Sequence, residues 1–576
     1  MPQSTLAPVR TGAEAFVELL NANGVDYIFL NSGTDTFPIQ EAIARFRSEG
    51  RPTPQVVVCP HEAVAMAAAH GHFMVSGRPQ VVLVHVDIGT LQVGGALHNA
   101  QRGKAGIVLC AGRAPLTLEG ELPGSRNLWI HWIQEQMDQG MIVRGLVKWD
   151  YELRRNESIH HVVNRAFAVA AAEPAGPVYL SLPREVLMAE MEGVPIGGEA
   201  ERSLPITPQA DPHALAQAGD ALAKAQHPLI IVGRAGRNPT AVGPLVALAE
   251  RLGAPVVASA YRLNFPTTHP LWAGTLPDAY LREADVILIV DEEVPYIPSR
   301  VKPRPDATII WIDIDPVKPT IPLFTFPAHL RIHADSAKAL PALVEAVDAV
   351  LTPTQRQRNL ERLEALAQTH QQRREEVRRT AQRLAAACPI APEWLVSCID
   401  QVLAPEDLLL DETVTNAGLV AQGVARTLPG TLFTSGGSSL GWALGASIGA
   451  KLAAPDRRVV ALVGDGSFLF GCPTSALWTA TAYRAPFLTV IFNNQMHHAT
   501  KRSWREAYPQ SYAQRLGEWI GVDLTPSPDY ALVAQACGAY GERVEDPAQV
   551  LPALRRGLEA VERGQPAVLD MRIQRP

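Results

Sequence analysis

VVALVGDGSFLFG (459–471), followed after a helical stretch by FLTVIFNNQ (487–495), decides how this chain folds. A run of β-branched residues enters Gly464-Asp465-Gly466-Ser467, a turn that glycine makes sharp and open to close approach by a ligand. Amides at the start of the following helix favour an anion such as a phosphate, drawing on Gly464, Gly466 and Ser467. Asp465 stands at the carboxyl end of its strand, where α/β sheets place ligands. The second apolar run ends in Asn493-Asn494, which brings a neutral oxygen to the same edge. One carboxylate, one amide oxygen and a main-chain carbonyl, completed by water and diphosphate oxygens, make an octahedral shell suited to Mg²⁺.

Short β-branched runs alternating with helical stretches recur along the chain, as in a parallel sheet covered on both faces. VDYIFL (25–30), QVVVC (55–59), QVVLVHV (80–86) and GIVLCAG (106–112) mark a first unit, which EPAGPVYLSLPREVL (173–187) closes. The Pro- and Gly-rich stretch VPIGGEAERSLPITPQADP (194–212) reads as a boundary. PLIIVGRAG, PVVAS, DVILIVD and TIIWIDIDP form a second unit, and DLLLDET through AVLDMRI a third. The fold class is therefore α/β, with three doubly wound parallel-sheet domains at 1–190, 205–350 and 389–576. The charged segment 351–388 reads as a solvated helix linking the last two.

A strand into GDGS, then a helix, then a strand ending in NN resembles the thiamine diphosphate-binding motif of the decarboxylase and acetolactate synthase family. The resemblance implies that Asp465, Asn494 and the carbonyl of Met496 bind the metal. QVVVCPHEAVAMAAAHGHFMVSGRP (55–79) resembles the family segment whose glutamate hydrogen-bonds the cofactor's pyrimidine, which gives Glu62 that catalytic role. TSGGSSLGWALGASIGAKL (434–452) resembles the segment laid against the pyrimidine. There the carbonyl of Ser438 accepts from the 4′-amino group and Leu440 bends the cofactor. ETVTNAG (412–418) offers Thr415 and Asn416 to the diphosphate. Since the family builds each site from two subunits, a homodimer or homotetramer is implied.

The chain departs from the pattern around the reactive face. NNQMHHAT (493–500) is similar to benzaldehyde lyase-like members, which carry Trp-Gly where His497 and His498 stand. Thr500 falls where pyruvate decarboxylases place a glutamate, which puts it at the substrate pocket and makes the two histidines candidate proton carriers. The first-domain loops NSGTDT (31–36), HVDIGTLQ (85–92) and WIQEQ (132–136) put Thr34, Asp35, His85 and Gln134 at the substrate pocket. His61 and His98 are further histidines to place. IIVGRAGRNP (230–239) could approach the phosphate of FAD or ADP in the central domain, but a scaffold role is the expectation there.

The remaining composition narrows the class. A net charge of −7 argues against nucleic-acid and anionic-membrane partners, leaving a small-molecule substrate. Six scattered cysteines with no C-x-x-C pair suit a reducing compartment, and with no apolar leader the expected location is cytoplasmic. The expected activity is that of a thiamine diphosphate- and Mg²⁺-dependent lyase or transferase, acetolactate synthase-like, making or breaking a C–C bond beside a carbonyl. A 2-hydroxyacyl-CoA lyase is the enzymatic alternative, and a non-catalytic cofactor-binding relative the alternative of another class.

Overall fold

The computed structural model describes residues 5–575. Three six-stranded sheets follow one another along the chain, and every strand pair within them is parallel. The first sheet uses Tyr27–Leu30, Gln55–Val58, Gln80–Val84, Ile107–Arg113, Asp150–Glu152 and Val178–Pro183. Counted along the chain, its spatial order is 2-1-3-4-6-5. The third sheet repeats that order with Leu408–Glu412, Leu432–Phe433, Val459–Gly464, Leu488–Asn493, Tyr540–Val544 and Ala567–Arg572. The central sheet, from Pro228–Val232 to Leu330–His333, has the order 3-2-1-4-5-6. The strands are rich in Val, Ile and Leu because helices bury them on both faces.

In the first and third sheets the winding direction reverses between the first and third strands. The crevice at the carboxyl ends of those strands is where such sheets bind ligands. In the third domain that crevice lies between the ends at Glu412 and Gly464, and in the first between Leu30 and Val84.

The helices following the second strand of each of these domains, Glu62–Ser76 and Trp442–Ala453, pack on one another. Glycines make this a backbone-to-backbone contact. A Cβ on Gly71 would stand 2.0 Å from the Ala446 carbonyl oxygen, and one on Gly449 1.8 Å from that of Ala68. The buried Trp442 indole donates to His70 Nδ1 at 3.1 Å across the same contact.

Three features differ from the sequence reading. The stretch 85–92 is not a loop: Val86–Gln92 is a helix, with Asp87 in its first turn and Thr90 Oγ1 bonded to the Val86 carbonyl at 2.7 Å. The boundary stretch supplies a strand, Val194–Ile196, which pairs antiparallel with Thr5–Ala7. The charged linking helix runs Pro353–Arg383 and is docked, not simply solvated. Arg358 donates to the Ala225 carbonyl at 2.9 Å, and Arg362 to those of Gln226 at 2.6 Å, Gly253 at 2.9 Å and Leu252. These carbonyls lie at or just beyond the ends of two central-domain helices, Pro212–Lys224 and Val242–Leu252, where orphan C=O groups favour a cation. Among the described residues no helix is long and apolar enough to cross a membrane.

The helix contact gives a direct test. Gly449→Ala should cost about 3 kcal/mol, because its methyl meets backbone that cannot move aside. Gly243→Ala, on a helix with nothing within 4 Å of the new methyl, should be neutral or stabilising by up to about 1 kcal/mol. Thermal unfolding of the two variants side by side measures the difference.

Candidate active site

Three strand ends of the third domain converge on a cavity of ≈ 130 Å³. Thr415 and Asn416 come from the turn after Leu408–Glu412, and Gly464 ends the strand Val459–Gly464 with Asp465 to Ser467 opening the next helix. Asn494, Met496 and His497 come from the turn after Leu488–Asn493, with His498 and Thr500 in the helix that follows. Leu440 also reaches it.

Asp465 is buried at the bottom of this group. Its Oδ1 accepts the Gly466 amide at 3.0 Å, while Oδ2 has no hydrogen-bond partner. Burial pushes its carboxyl up to about 6. A buried, unpartnered carboxylate oxygen is costly unless a cation meets it. The buried Asn494 Oδ1 accepts the Met496 amide at 3.0 Å, which fixes the side chain and leaves a second lone pair free. Its neighbour Asn493 turns the other way and bonds Asp570 at 2.6 Å. Among the described residues there is no group of three or more His, Cys, Asp and Glu arranged for a metal. A cation held here would rely on one carboxylate, neutral oxygens and an anionic ligand, and the residues present fit Mg²⁺ bound with a diphosphate.

Close approach is built in at Gly466, where a Cβ would lie 2.7 Å from the His497 ring. His498 Nδ1 is buried without a partner, and burial followed by Lys501, Arg502 and Arg505 pushes its pKa down. Thr500 is exposed at the rim.

Two further residues of the segment ETVTNAG (412–418) contribute, neither singled out by the sequence. Glu412, buried, accepts the amides of Gly441 at 2.6 Å, Trp442 at 3.2 Å and Ala443 at 2.8 Å. Its carboxylate thereby pins the helix start behind Leu440, and burial raises it to about 7 against the pull of those amides. Val414, between Thr413 and Thr415, has φ 50°, a strained conformation for a β-branched residue of the kind that gathers at functional sites.

Ser438 does not line this cavity; its Oγ lies 3.4 Å from His98 Nε2. Leu440 separates the cavity from a second one of ≈ 250 Å³, lined by His61, Gln92, Asn99 and Cys472 among others. Asn99 grips the main chain of Ser439 with two bonds, at 2.8 and 3.0 Å. Glu62 opens its helix beside His61, whose Nδ1 accepts the Ala63 amide at 3.1 Å. Glu62 is buried and does not line the Asp465 cavity within one chain.

The first-domain residues gather at the matching crevice. Asp35, buried, bonds His85 Nδ1 through Oδ1 and accepts the Val86 amide through Oδ2 at 3.2 Å. The bond to Asp35 raises the His85 pKa, with Gln134 a further partner. Room for the carboxylate comes from Gly112, where a Cβ would stand 1.6 Å from Asp35 Oδ2. Thr34 is exposed, with its carbonyl 3.4 Å from Arg184. In the central domain the loop at 230–239 is engaged by carboxylates: Arg237 pairs with Asp291 at 2.6 Å and Arg234 with Glu293 at 3.2 Å.

Comparison with known proteins identifies the three domains. Residues 10–142 match the thiamine pyrophosphate enzyme N-terminal TPP binding domain, 215–343 the central domain and 413–571 the C-terminal TPP binding domain. Benzoylformate decarboxylase of Pseudomonas aeruginosa is 28% identical, over 96% of this chain and 97% of its own. Sulfoacetaldehyde acetyltransferase of Rhodobacter capsulatus is 27% identical, over 97% and 94%. The solved 4-hydroxybenzoylformate decarboxylase of Rhodococcus jostii shares the fold, with a TM-score of 0.79 at 23% identity over 98% of this chain and 99% of its own. Three domains matched in order along nearly the whole length make this chain a member of the thiamine diphosphate-dependent decarboxylase and acetolactate synthase-like enzyme family.

Proposed function

We propose that the protein is a cytoplasmic lyase or transferase dependent on thiamine diphosphate and Mg²⁺. It acts on a 2-oxo acid or an acyloin, making or breaking the C–C bond beside the carbonyl. The proposed domain limits are 1–190, 205–350 and 389–576, the first extended to Ile196 by the strand paired with Thr5–Ala7, and 351–388 is the linking segment that holds the helix Pro353–Arg383. The observation that carries this reading is the unpartnered, buried Asp465 Oδ2 beside Asn494 and Met496 at the sheet's switch point. A second reading, a 2-hydroxyacyl-CoA lyase, draws on the helix His498–Ala507, which carries Lys501, Arg502 and Arg505 next to the cavity. A mouse 2-hydroxyacyl-CoA lyase is 26% identical over 98% of this chain. FAD or ADP is not assigned to the central domain, because carboxylates already engage its arginines.

The bound cofactor supplies an electron sink beside the substrate carbonyl. Asp465, Asn494 and the Met496 carbonyl hold the metal, while Thr415, Asn416, Gly464, Gly466 and Ser467 receive the diphosphate. Ser438 and Leu440 receive the pyrimidine side, with Glu412 keeping that segment in register. Glu62 holds and moves a proton at the pyrimidine. Thr34, Asp35, His85, Gln134 and Thr500 form the substrate pocket, with His85 oriented by Asp35. His497 and His498 carry a proton to or from the reacting carbon, with burial and then Lys501, Arg502 and Arg505 lowering the pKa of His498.

The separation of Glu62 from the Asp465 cavity within one chain supports a homodimer or homotetramer in which the partner's Glu62 completes each site. Trp129, Trp132, Ile133 and Met137 stand exposed on the first domain, an apolar face suited to such a contact.

Glu62→Gln should keep the cofactor yet lose most turnover and slow deuterium exchange at the cofactor's C2. A loss of only a few-fold would show that another group serves. Mixing Glu62→Gln with Asp465→Ala chains should restore part of the activity, since one site of a mixed dimer has both groups intact. No recovery on mixing would count against shared sites.

His497→Trp and His498→Gly should each lower turnover or change the product distribution while cofactor binding survives. Unchanged turnover, pH dependence and products per loaded site in both variants would remove the proton-carrying role.

A further inference from the structure

Gln495 lies between two of the proposed metal ligands, and it is not glycine although its φ is +58°. That left-handed turn explains how Asn494 and Met496 both face the cavity while the residue between them does not. For an L residue with a long side chain the conformation is unfavourable and persists only where the surroundings impose it.

The surroundings are two arginines from the last strand and the segment after it. With its amide oriented to satisfy its neighbours, Gln495 Oε1 accepts from Arg572 Nη2 at 2.7 Å and Nη1 at 3.3 Å. Arg575 reaches the main chain on both sides of the turn, bonding the Gln495 carbonyl through Nη2 at 3.0 Å and the Asn494 carbonyl through Nε at 3.3 Å. The same Nη2 bonds Asp523 Oδ1 at 2.7 Å. Leu524 adds its amide to the Gln495 carbonyl at 2.9 Å, and His497 donates to the Val522 carbonyl at 2.8 Å. The metal loop is thus held between residues 522–524 and the guanidinium groups.

We infer that Arg575 is a positioning residue for the metal site: it stabilises the strained turn at Gln495 and thereby presents Asn494 and the Met496 carbonyl as ligands. This rests on the assignment of Asp465, Asn494 and Met496 to the metal. Arg575 acts by bridging, not by charge, because a cation near a cation site weakens it. Arg575 is also partly exposed, so its ion pair with Asp523 adds little by itself.

The test is a Mg²⁺ titration of each purified variant, following the thiamine diphosphate retained after ultrafiltration, with thermal unfolding of the cofactor-free protein as a check on folding. Arg575→Ala should raise the Mg²⁺ needed for half-retention about tenfold, the size typical of lost support for metal ligands. Arg575→Lys should do nearly the same, since an ammonium keeps the charge but not the planar fork. Gln495→Gly in the Arg575→Ala background should recover most of the loss, because glycine adopts positive φ without strain. Unchanged or tighter Mg²⁺ dependence in Arg575→Ala overturns the inference, as does wild-type dependence in Arg575→Lys or failure of Gln495→Gly to rescue. Asp465→Ala separates the two levels. If it retains cofactor as wild type does, the metal assignment itself falls. If it loses cofactor while Arg575→Ala does not, only the role of Arg575 falls.

Discussion

Two helices that touch through their backbones, Glu62–Ser76 and Trp442–Ala453, determine where everything else can stand. Glycine and alanine at the contact leave no side chain to adjust, so the helices have essentially one relative position. Each opens beside a residue proposed to meet the cofactor: Glu62 begins one, and Leu440 precedes the other. The cost is carried by small residues that bury little area each, and is offset by the Trp442–His70 bond and by the apolar cluster that spans both sheets.

Around that contact the molecule tolerates ionisable groups where burial disfavours their charge. Glu412 ends one strand of the third sheet and Asp465 directly follows another, and burial raises both. They are resolved differently. Glu412 receives three main-chain amides and becomes part of the scaffold, whereas Asp465 keeps one oxygen without a partner. One carboxylate is used up in holding the backbone, and the other keeps an acceptor open.

The three units and their parallel sheets were legible because buried strands need unbroken β-branched runs, and GDGS with NN announced two strand ends. Weaker strands such as Asp150–Glu152 and Trp272–Gly274 were not, since a short edge strand has too few residues to show a pattern. The segment 85–92 misled because the resemblance implied a loop there, whereas it forms a helix with Asp87 in its first turn and Thr90 bonded back to Val86. Glu412, Val414 and Arg575 escaped notice for a different reason. Their roles depend on backbone angles and on partners distant in sequence, which no local spacing encodes. Likewise, the sequence offered Asp35 and His85 as separate pocket residues, and only the fold joined them into one hydrogen-bonded pair.

The long helix Pro353–Arg383 has a practical consequence for anyone exchanging modules among relatives. At 1.5 Å per residue it extends about 46 Å, and its first turns are bolted by Arg358 and Arg362 to the carbonyls that end central-domain helices. A graft cut at residue 350 would strip those carbonyls of their donors and leave both guanidinium groups facing a foreign surface. The transplantable central module therefore extends through the helix, and its natural seam lies beyond Arg383.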